Sequence, residues 1–347
     1  MRPFHYLRPA TTAEAVAAWT PEAAYLGGGT NLLDLMKLGV ALPGAVIDVN
    51  RIEGLDGIEL TDGGGARIGA AVRNGDLARH AGFAAAFPMV VEALLAGASG
   101  QLRNAATVGG NLLQRTRCAY FQDPRSACNR REPGTGCAAR EGENRALAVL
   151  GWSEHCIATN PSDFAVPLAA LAAEVEVEGR DGIRRIPFAE FHCLPGDTPE
   201  REFAPRPGEL VTALILPPGA AGFATHGRYL KVRERTSYAF ALASAAAALR
   251  IEDGTIREAR LALGAVAAKP WRVEAAEALM RGQAPGEPLF ARAASAALEG
   301  ASPSGDNAYK IELARRTVIR ALLMAARGTP ARMPPLPASP FGAHAHA

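Results

Sequence analysis

The chain has 347 residues, enough for two or three domains around a substantial core. Its 48% hydrophobic and 21% charged residues are typical of a folded globular protein, and its formal net charge of +2 gives no indication of a nucleic-acid or acidic-membrane partner. No apolar run approaches the roughly 20 residues of a membrane span. The N-terminus lacks the charged-then-apolar layout of a signal peptide, so we expect that the chain does not export itself.

The first predicted elements surround a glycine loop. A helix is predicted over 11–19 with Thr11 or Thr12 as its N-cap, followed by a strand at Ala23–Leu26. Gly27–Gly29 lead into a second helix, which Gly39 ends. Three glycines let the backbone approach a ligand and point several N–H groups at it, which suits a pyrophosphate. The loop has neither the Walker A nor the Rossmann spacing, and such loops are tight turns about as often as phosphate sites.

Short strands and helices alternate beyond this loop. Strands are predicted at Ala45–Val49 and Ala66–Val72, and helices from Leu77 and over 89–95, which indicates α/β architecture. A second glycine turn is predicted at Thr107–Asn111. Two glycine turns favour a dinucleotide, because its pyrophosphate needs donors from more than one side.

Four of the five cysteines follow closely, at Cys118, Cys128, Cys137 and Cys156. In a chain without a signal peptide they favour metal or redox chemistry over a disulfide framework. Structural zinc sites usually pair their ligands as C-x2–4-C, and these cysteines are more widely spaced, as an iron–sulfur cube allows. The residues alone leave open a cube, a zinc ion or unligated thiols. The fifth cysteine, Cys193, is predicted to be a plain buried thiol.

The same segment is rich in arginine. These side chains could offset the negative charge of a thiolate-ligated cluster, or they could form a solvated basic loop that nearby acidic residues balance. They are Arg115, Arg117, Arg125, Arg130, Arg131, Arg140 and Arg145.

The part of the chain beyond a junction at 219–225 is predicted to be a separate unit. A helix and strand after Asp163, a hairpin return at 182–188 and a strand at Leu210–Leu216 precede a junction at 219–225. Three antiparallel strands follow, with a hairpin turn at Asp253-Gly254. Helices are predicted near Trp271–Arg281, Leu289–Leu298 and Asn307–Arg327, the last capped by Asp306.

Four stretches carry a family resemblance. LGGGTNLL, TVGGNLLQRTRC, NPSDFAVPLAAL and RYLKVRERTSYAFALASAAAAL resemble the FAD-binding subunit of molybdenum hydroxylases, the xanthine dehydrogenase and carbon monoxide dehydrogenase group, from about residue 1 to 327. The four-cysteine segment resembles the FAD subunits of 4-hydroxybenzoyl-CoA reductase and, more closely, of bacterial periplasmic aldehyde oxidoreductase.

The resemblance implies a mixed α+β or α/β fold. A two-lobed FAD-binding domain of the PCMH type would cover 1–218, with a [4Fe–4S] loop at about 115–160. A C-terminal domain like that of carbon monoxide dehydrogenase flavoproteins would cover 219–328, with a three-stranded antiparallel sheet and helices. Residues 329–347 would form a flexible tail.

It also implies a set of binding residues and no catalytic residue on this chain. Thr107, Gly110 and Asn111 would form a second wall of the FAD site, Asp163 would hold an FAD hydroxyl, Ile215 would pack near the flavin and Lys231 would approach its pyrimidine end. Cys118, Cys128, Cys137 and Cys156 would ligate the [4Fe–4S] cluster. The FAD pyrophosphate would be wrapped by Tyr25, Leu26, Gly27, Gly28, Gly29, Thr30, Asn31, Leu32 and Leu33.

By the same resemblance the chain is one subunit of a heterotrimer. A large subunit would hold the molybdenum cofactor and oxidise an aldehyde, and a small subunit would hold two [2Fe–2S] clusters. Electrons would reach FAD and leave to an external acceptor. The complex would be periplasmic, exported by a signal on the small subunit, or cytoplasmic. The alternatives are a 4-hydroxybenzoyl-CoA reductase-like or xanthine dehydrogenase-like enzyme, a zinc-stapled scaffold without redox function, and a stand-alone FAD oxidase.

Overall fold

The computed structural model of the chain describes residues 1–331, and the strands in this part form three sheets. The mixed helix and strand architecture predicted from the sequence is confirmed. Within these residues no helix combines the length and the apolar character that crossing a membrane requires.

The N-terminal lobe is built on a small parallel sheet. Its strands are β1 (His5–Leu7), β2 (Ala23–Leu26) and β3 (Ala45–Asp48), in the order β1-β3-β2. Its helices are α1 (Thr12–Ala18) and α2 (Leu32–Lys37). Thr11 is confirmed as the cap of α1, because its Oγ1 accepts a hydrogen bond of 3.1 Å from Glu14 N. β1 was not predicted, since three exposed residues give no apolar alternation.

The second lobe is an antiparallel sheet covered by short helices. The sheet has the order β4-β5-β8-β6-β7 and comprises β4 (Ile58–Leu60), β5 (Ala66–Gly69), β6 (Glu174–Gly179), β7 (Gly182–Pro187) and β8 (Leu210–Leu216). The helices are α3 (Asn74–Arg79), α4 (Ala81–Ala86), α5 (Pro88–Ala96), α6 (Gly100–Ala105), α7 (Val108–Leu112), α8 (Ala119–Gln122), α9 (Ala165–Ala170) and α10 (Phe188–Phe191), with a 3-10 helix at Ala138–Arg140.

The second glycine turn was predicted incorrectly, because the structure forms the short helix α7 there. Thr107 is its N-cap and accepts a hydrogen bond of 3.1 Å from Gly110 N, while Asn111 N donates to Thr107 O at 2.8 Å. The capping hydroxyl and the close packing of Gly109 against Ala70 stabilise a helical turn that two adjacent glycines would otherwise disfavour.

The C-terminal domain is an antiparallel sheet with three helices on one face. A 3-10 helix at Ala220–His226 leads into β9 (Gly227–Val232), β10 (Ala243–Glu252), β11 (Thr255–Gly264) and β12 (Trp271–Arg272), in the order β12-β11-β10-β9. The helices are α11 (Glu274–Met280), α12 (Glu287–Ala297) and α13 (Tyr309–Ala326).

Two predictions for this domain were wrong. The sheet has four strands rather than three, because Trp271 and Arg272 pair with Leu263 and Ala262 instead of starting a helix. Asp306 does not cap α13. The N-cap position is Ala308, which makes no side-chain cap, and Asn307 accepts a hydrogen bond from Ser304 N instead.

The alanines of β10 join the domains. Ala246 and Ala248 face the core of the second lobe, while Ala245 and Ala247 on the opposite face pack under α11 to α13. Successive side chains of a strand point to opposite faces, so these two sets of alanines show that both faces of β10 are buried. Small side chains allow the layers to approach closely. The C-terminal domain therefore rests directly on the second lobe.

The predicted tail begins at a residue that is held in place. Thr329 N donates to Thr225 O at 2.7 Å, and Thr329 Oγ1 accepts from Gly227 N at 3.0 Å. The rest of the predicted tail, from residue 332 onward, lies outside the described residues.

The second lobe contains a buried histidine whose protonation is expected to destabilise it. His192 lies among Phe188, Phe191 and Phe203, its Nε2 is 3.0 Å from Leu112 O, and its Nδ1 has no hydrogen-bond partner in residues 1–331. Burial lowers the pKa of His192 to about 4. Protonation would therefore place an unpaired N–H at Nδ1 in the apolar surroundings of three phenylalanine rings.

We expect a pH dependence that follows from this histidine. The unfolded chain protonates His192 near pH 6.5 and the folded chain only near pH 4, so its contribution is present above pH 6.5 and lost as the pH falls toward 4. His192→Gln keeps a donor for Leu112 O and removes the titration. Between pH 7 and pH 5 the unfolding free energy of the wild type should fall by about 2 kcal/mol more than that of the variant, measured by urea denaturation. Parallel pH profiles would contradict this.

Candidate functional site

A cavity of about 510 Å³ lies where the two lobes and the C-terminal domain meet. This volume is typical of small-molecule and cofactor sites. Six of the residues predicted to bind FAD line it. They are Thr30 and Asn31 from the first lobe, Gly110, Asn111 and Asp163 from the second, and Lys231 from the C-terminal domain.

The three glycines of the first loop lie behind the residues that line the cavity. A Cβ on Gly27 would come within 2.6 Å of Thr107 Oγ1, and a Cβ on Gly28 would overlap the Ala105 carbonyl. Glycine is therefore required because the two glycine segments pack against each other. Gly29 has a positive φ of +74°, which glycine tolerates best. The loop thus brings Thr30 and Asn31 to the same cavity as Gly110 and Asn111.

The remaining predicted FAD residues do not line the cavity. Tyr25 donates a hydrogen bond of 2.8 Å to Gly208 O, and burial raises its pKa to about 12. Ile215 lies on β8 between Arg67 and Glu174 of the neighbouring strands, in the sheet of the second lobe. The residues outside the lining are Tyr25, Leu26, Gly27, Gly28, Gly29, Leu32, Leu33, Thr107 and Ile215.

Asp163 and Lys231 form a buried ion pair. Lys231 Nζ is 2.7 Å from Asp163 Oδ2, and Tyr229 donates to Asp163 Oδ1 at 2.6 Å. Lys231 Nζ also donates to Ala96 O at 3.2 Å. Burial, followed by the Asp163 carboxylate, raises the pKa of Tyr229 well above its usual value. The pair therefore binds the second lobe to β9 at the edge of the cavity.

Three buried polar atoms in the cavity wall lack a hydrogen-bond partner within residues 1–331. They are Asn31 Nδ2, Asn74 Oδ1 and Arg117 Nε. Buried polar groups in folded proteins are nearly always paired, so two donors and one acceptor are available here for a polar ligand. This donor set fits a dinucleotide such as FAD. Asn74 and Arg117 were not predicted as FAD residues: Asn74 appeared only as a helix start, and Arg117 only as one of seven arginines.

The four clustered cysteines surround a second, smaller pocket. Cys118, Cys128 and Cys156 are buried and Cys137 is half-buried, and all four line this pocket. Cys128 and Cys137 lie opposite each other in an antiparallel bridge. Burial raises the pKa of Cys118 to about 11 and also raises that of Cys137. In residues 1–331 no group of three or more histidine, cysteine, aspartate or glutamate side chains is placed to hold a metal ion.

Asn129 organises the loop that carries these cysteines. Its Oδ1 accepts hydrogen bonds from Gly134 N at 3.1 Å and Gly136 N at 2.8 Å, and its Nδ2 donates to His155 O at 3.2 Å. Asn129 follows Cys128, Gly136 precedes Cys137, and His155 precedes Cys156. One amide side chain therefore holds three of the four cysteine-bearing segments together.

The arginines of this segment have different environments. Arg130 is buried, lies 2.7 Å from Glu202 and lines the cysteine pocket together with Cys156. Burial lowers its pKa, but Glu202 and Cys156 outweigh burial and hold the pKa above its usual value. Arg125, by contrast, has an 89% exposed side chain paired with Asp123. The segment is therefore not simply a solvated basic loop.

The fifth cysteine differs from its prediction. Cys193 is half-buried rather than buried, because it lies in an irregular segment at the protein surface between the buried His192 and the exposed Leu194. It is not among the residues that line the cysteine pocket.

A third cavity of about 170 Å³ lies between the other two. It shares Arg117, Asp163 and Phe240 with the large cavity, and it shares Cys118 with the cysteine pocket. This small cavity thus borders both candidate cofactor sites, and the consecutive residues Arg117 and Cys118 connect them along the chain.

Sequence models of two families match the chain. One is described as the FAD binding domain in molybdopterin dehydrogenase and covers residues 2–219, and the other as the CO dehydrogenase flavoprotein C-terminal domain and covers residues 228–325. The aldehyde oxidoreductase FAD-binding subunit PaoB of Escherichia coli K12 is 52% identical over 327 residues, which are 93% of this chain and 98% of PaoB.

Carbon monoxide dehydrogenases are also similar. The medium chain from Hydrogenophaga pseudoflava is 28% identical over 92% of this chain and 96% of its own length. A solved structure of the enzyme from that organism matches with a TM-score of 0.73 at 30% identity, over 95% of this chain and all of that one. The reconstituted enzyme from Oligotropha carboxidovorans matches with a TM-score of 0.74 at 25% identity, over 94% and 99% of the two chains.

Proposed function

The chain belongs to the family of FAD-binding subunits of molybdenum hydroxylases, and from that premise we propose that it is the FAD- and [4Fe–4S]-carrying electron-transfer subunit of a molybdenum-dependent aldehyde oxidoreductase. In this function, electrons from an iron–sulfur subunit pass through FAD to an external acceptor. The observation that carries the proposal is the adjacency of the two candidate sites, because Arg117 lines the large cavity and Cys118 the cysteine pocket.

FAD would occupy the large cavity. Thr30, Asn31, Gly110 and Asn111 line it and offer polar groups from both lobes. Asp163 is fixed by Tyr229 and Lys231, and a carboxylate has further lone pairs that can accept from a ligand hydroxyl. When bound, FAD supplies the redox chemistry, and the protein supplies binding, orientation and electrostatics.

A [4Fe–4S] cluster would occupy the cysteine pocket. Four cysteines converge on one pocket, and the buried Arg130 beside Cys156 provides positive charge for a thiolate-ligated cluster. A cube separates its thiolates more widely than a single zinc ion does. The support for the cluster is that all four cysteines line one pocket.

The aldehyde chemistry would lie on a partner. We propose a heterotrimer with a large subunit that carries the molybdenum cofactor and a small subunit that carries two [2Fe–2S] clusters. The relatives named above are themselves described as an FAD-binding subunit and a medium chain. The complex would be periplasmic, exported through a partner's signal, or cytoplasmic, and cell fractionation distinguishes these.

The test is purification of the native complex from cells that express the chain with its neighbouring genes. We expect one FAD and about four irons and four sulfides bound to this subunit, in addition to the cofactors of the partners. The complex should oxidise aldehydes and the isolated chain should not. Zinc without iron, sulfide or flavin would instead support the scaffold, and activity on a CoA thioester or a purine would favour the other enzymes of the family.

A further inference from the structure

Arg117 is a half-buried arginine without an adequate partner. Its side chain is 22% exposed, and its nearest carboxylate, Asp34 Oδ2, is 4.0 Å from its NH1 nitrogen. Its Nε finds no hydrogen-bond acceptor in residues 1–331. The central carbon of its guanidinium lies over the Phe240 ring, 5.5 Å from the ring centroid. A buried donor on a charged group is costly unless something accepts from it.

The other cations of the same wall are already engaged. Lys231 is paired with Asp163, Arg103 donates to Gly97 O at 2.7 Å, and Arg235 donates to Tyr238 O at 3.0 Å. Among the cavity-lining cations in the part of the chain that is described, Arg117 is therefore the one that retains a buried donor without an acceptor.

We propose that Arg117 binds a phosphate group of the dinucleotide in the large cavity, and that it thereby couples dinucleotide binding to the order of the cysteine loop. This inference rests on the proposed function. Arg117 lies beside Asp34. Asp34 follows Asn31 by about one turn of α2, so Arg117 lies at the glycine-loop end of the cavity. The planar guanidinium presents parallel donors that match phosphate oxygens, and a phosphate would satisfy the free Nε.

The coupling follows from the local backbone. Cys118 is the next residue, and its N–H donates to Thr116 Oγ1, which in turn donates to Thr159 O. Residues 116–118 are thereby fixed to the segment that follows Cys156. A phosphate that holds Arg117 in place also holds Cys118 at the cysteine pocket. Because binding free energies are reciprocal, an intact cluster should also strengthen dinucleotide binding.

The matched variants are Arg117→Gln and Arg125→Gln in the purified complex. Both remove one arginine from the same segment, but Arg125 is exposed, pairs with Asp123 and lies outside the cavity. After removal of the flavin, the dissociation constants of FAD, ADP and riboflavin are measured by titration. Arg117→Gln should weaken FAD and ADP by about tenfold or more and leave riboflavin unchanged, since riboflavin has no phosphate. Arg117→Lys should recover part of the loss.

The coupling has its own measurement. Flavin-depleted wild-type complex should lose iron to a chelator faster than the FAD-loaded complex, and FAD should no longer protect Arg117→Gln. Unchanged ADP affinity in Arg117→Gln would overturn the phosphate assignment, and equal iron loss with and without FAD would overturn the coupling. Circular dichroism of each variant identifies misfolding. If Arg117→Gln misfolds, the ADP affinity of Arg117→Lys tests the phosphate assignment in its place. A wild-type complex without flavin or iron would instead refute the proposed function itself.

Discussion

Replacing Cys128 by serine is expected to abolish iron binding by this subunit while part of the flavin is retained. Cys128 is buried at the cysteine pocket and lies opposite Cys137. Serine has nearly the same shape, so packing changes little, but its hydroxyl is a poor ligand for a soft metal that prefers thiolate. Iron and sulfide bound to the subunit should fall from about four each to near zero, measured by colorimetric analysis and by loss of the visible absorption of the cluster.

Cys193→Ser is the matched control for this variant. Cys193 is the fifth cysteine, is half-buried and is not among the lining residues of the cysteine pocket. The same chemical change at this position should leave iron, sulfide and flavin at wild-type values. A Cys128→Ser protein with full iron content would rule out a cluster at this pocket, and equal losses in both variants would indicate general misfolding.

Local signals in the sequence identify most elements of the fold. Thr11 as a cap, the Asp253-Gly254 hairpin and the apolar run of β8 depend on neighbouring residues alone, and the structure confirms all three. β12 escaped prediction because two residues carry no periodic pattern, and their strand state depends on pairing with β11. The Asp306 cap failed because α13 begins only at Tyr309, so the N-cap position falls on Ala308, two residues after Asp306.

The candidate site was less accessible from sequence. Its glycine and cysteine segments can be recognised from their composition. The structure brings Asn31 and Gly110 to one cavity and the four cysteines to one pocket. By contrast, the pairing of Asp163 with Lys231 joins residues 68 positions apart, and no local pattern encodes it. Arg117 could not be separated from six other arginines until the structure placed it in the wall of the large cavity with an Nε that lacks a partner.

Replacing Asp163 by alanine should weaken FAD retention and leave the iron in place. The carboxylate lies in the cavity wall, where it can accept from a ligand hydroxyl, and it is absent from the lining of the cysteine pocket. The same change leaves Lys231 buried without its carboxylate, which typically costs about 3–5 kcal/mol of unfolding free energy. FAD content after gel filtration and urea denaturation of the apoprotein measure the two effects.

A second variant separates binding from stability. Asp163→Ala combined with Lys231→Met removes both buried charges, so much of the lost unfolding free energy should return, since replacing a buried ion pair by apolar groups is often neutral. FAD retention should stay low, because neither substitution restores the acceptor in the cavity. If the double variant regained FAD together with stability, the loss in Asp163→Ala would come from the unpaired lysine alone. Asp163 would then hold the C-terminal domain in place without binding the flavin nucleotide.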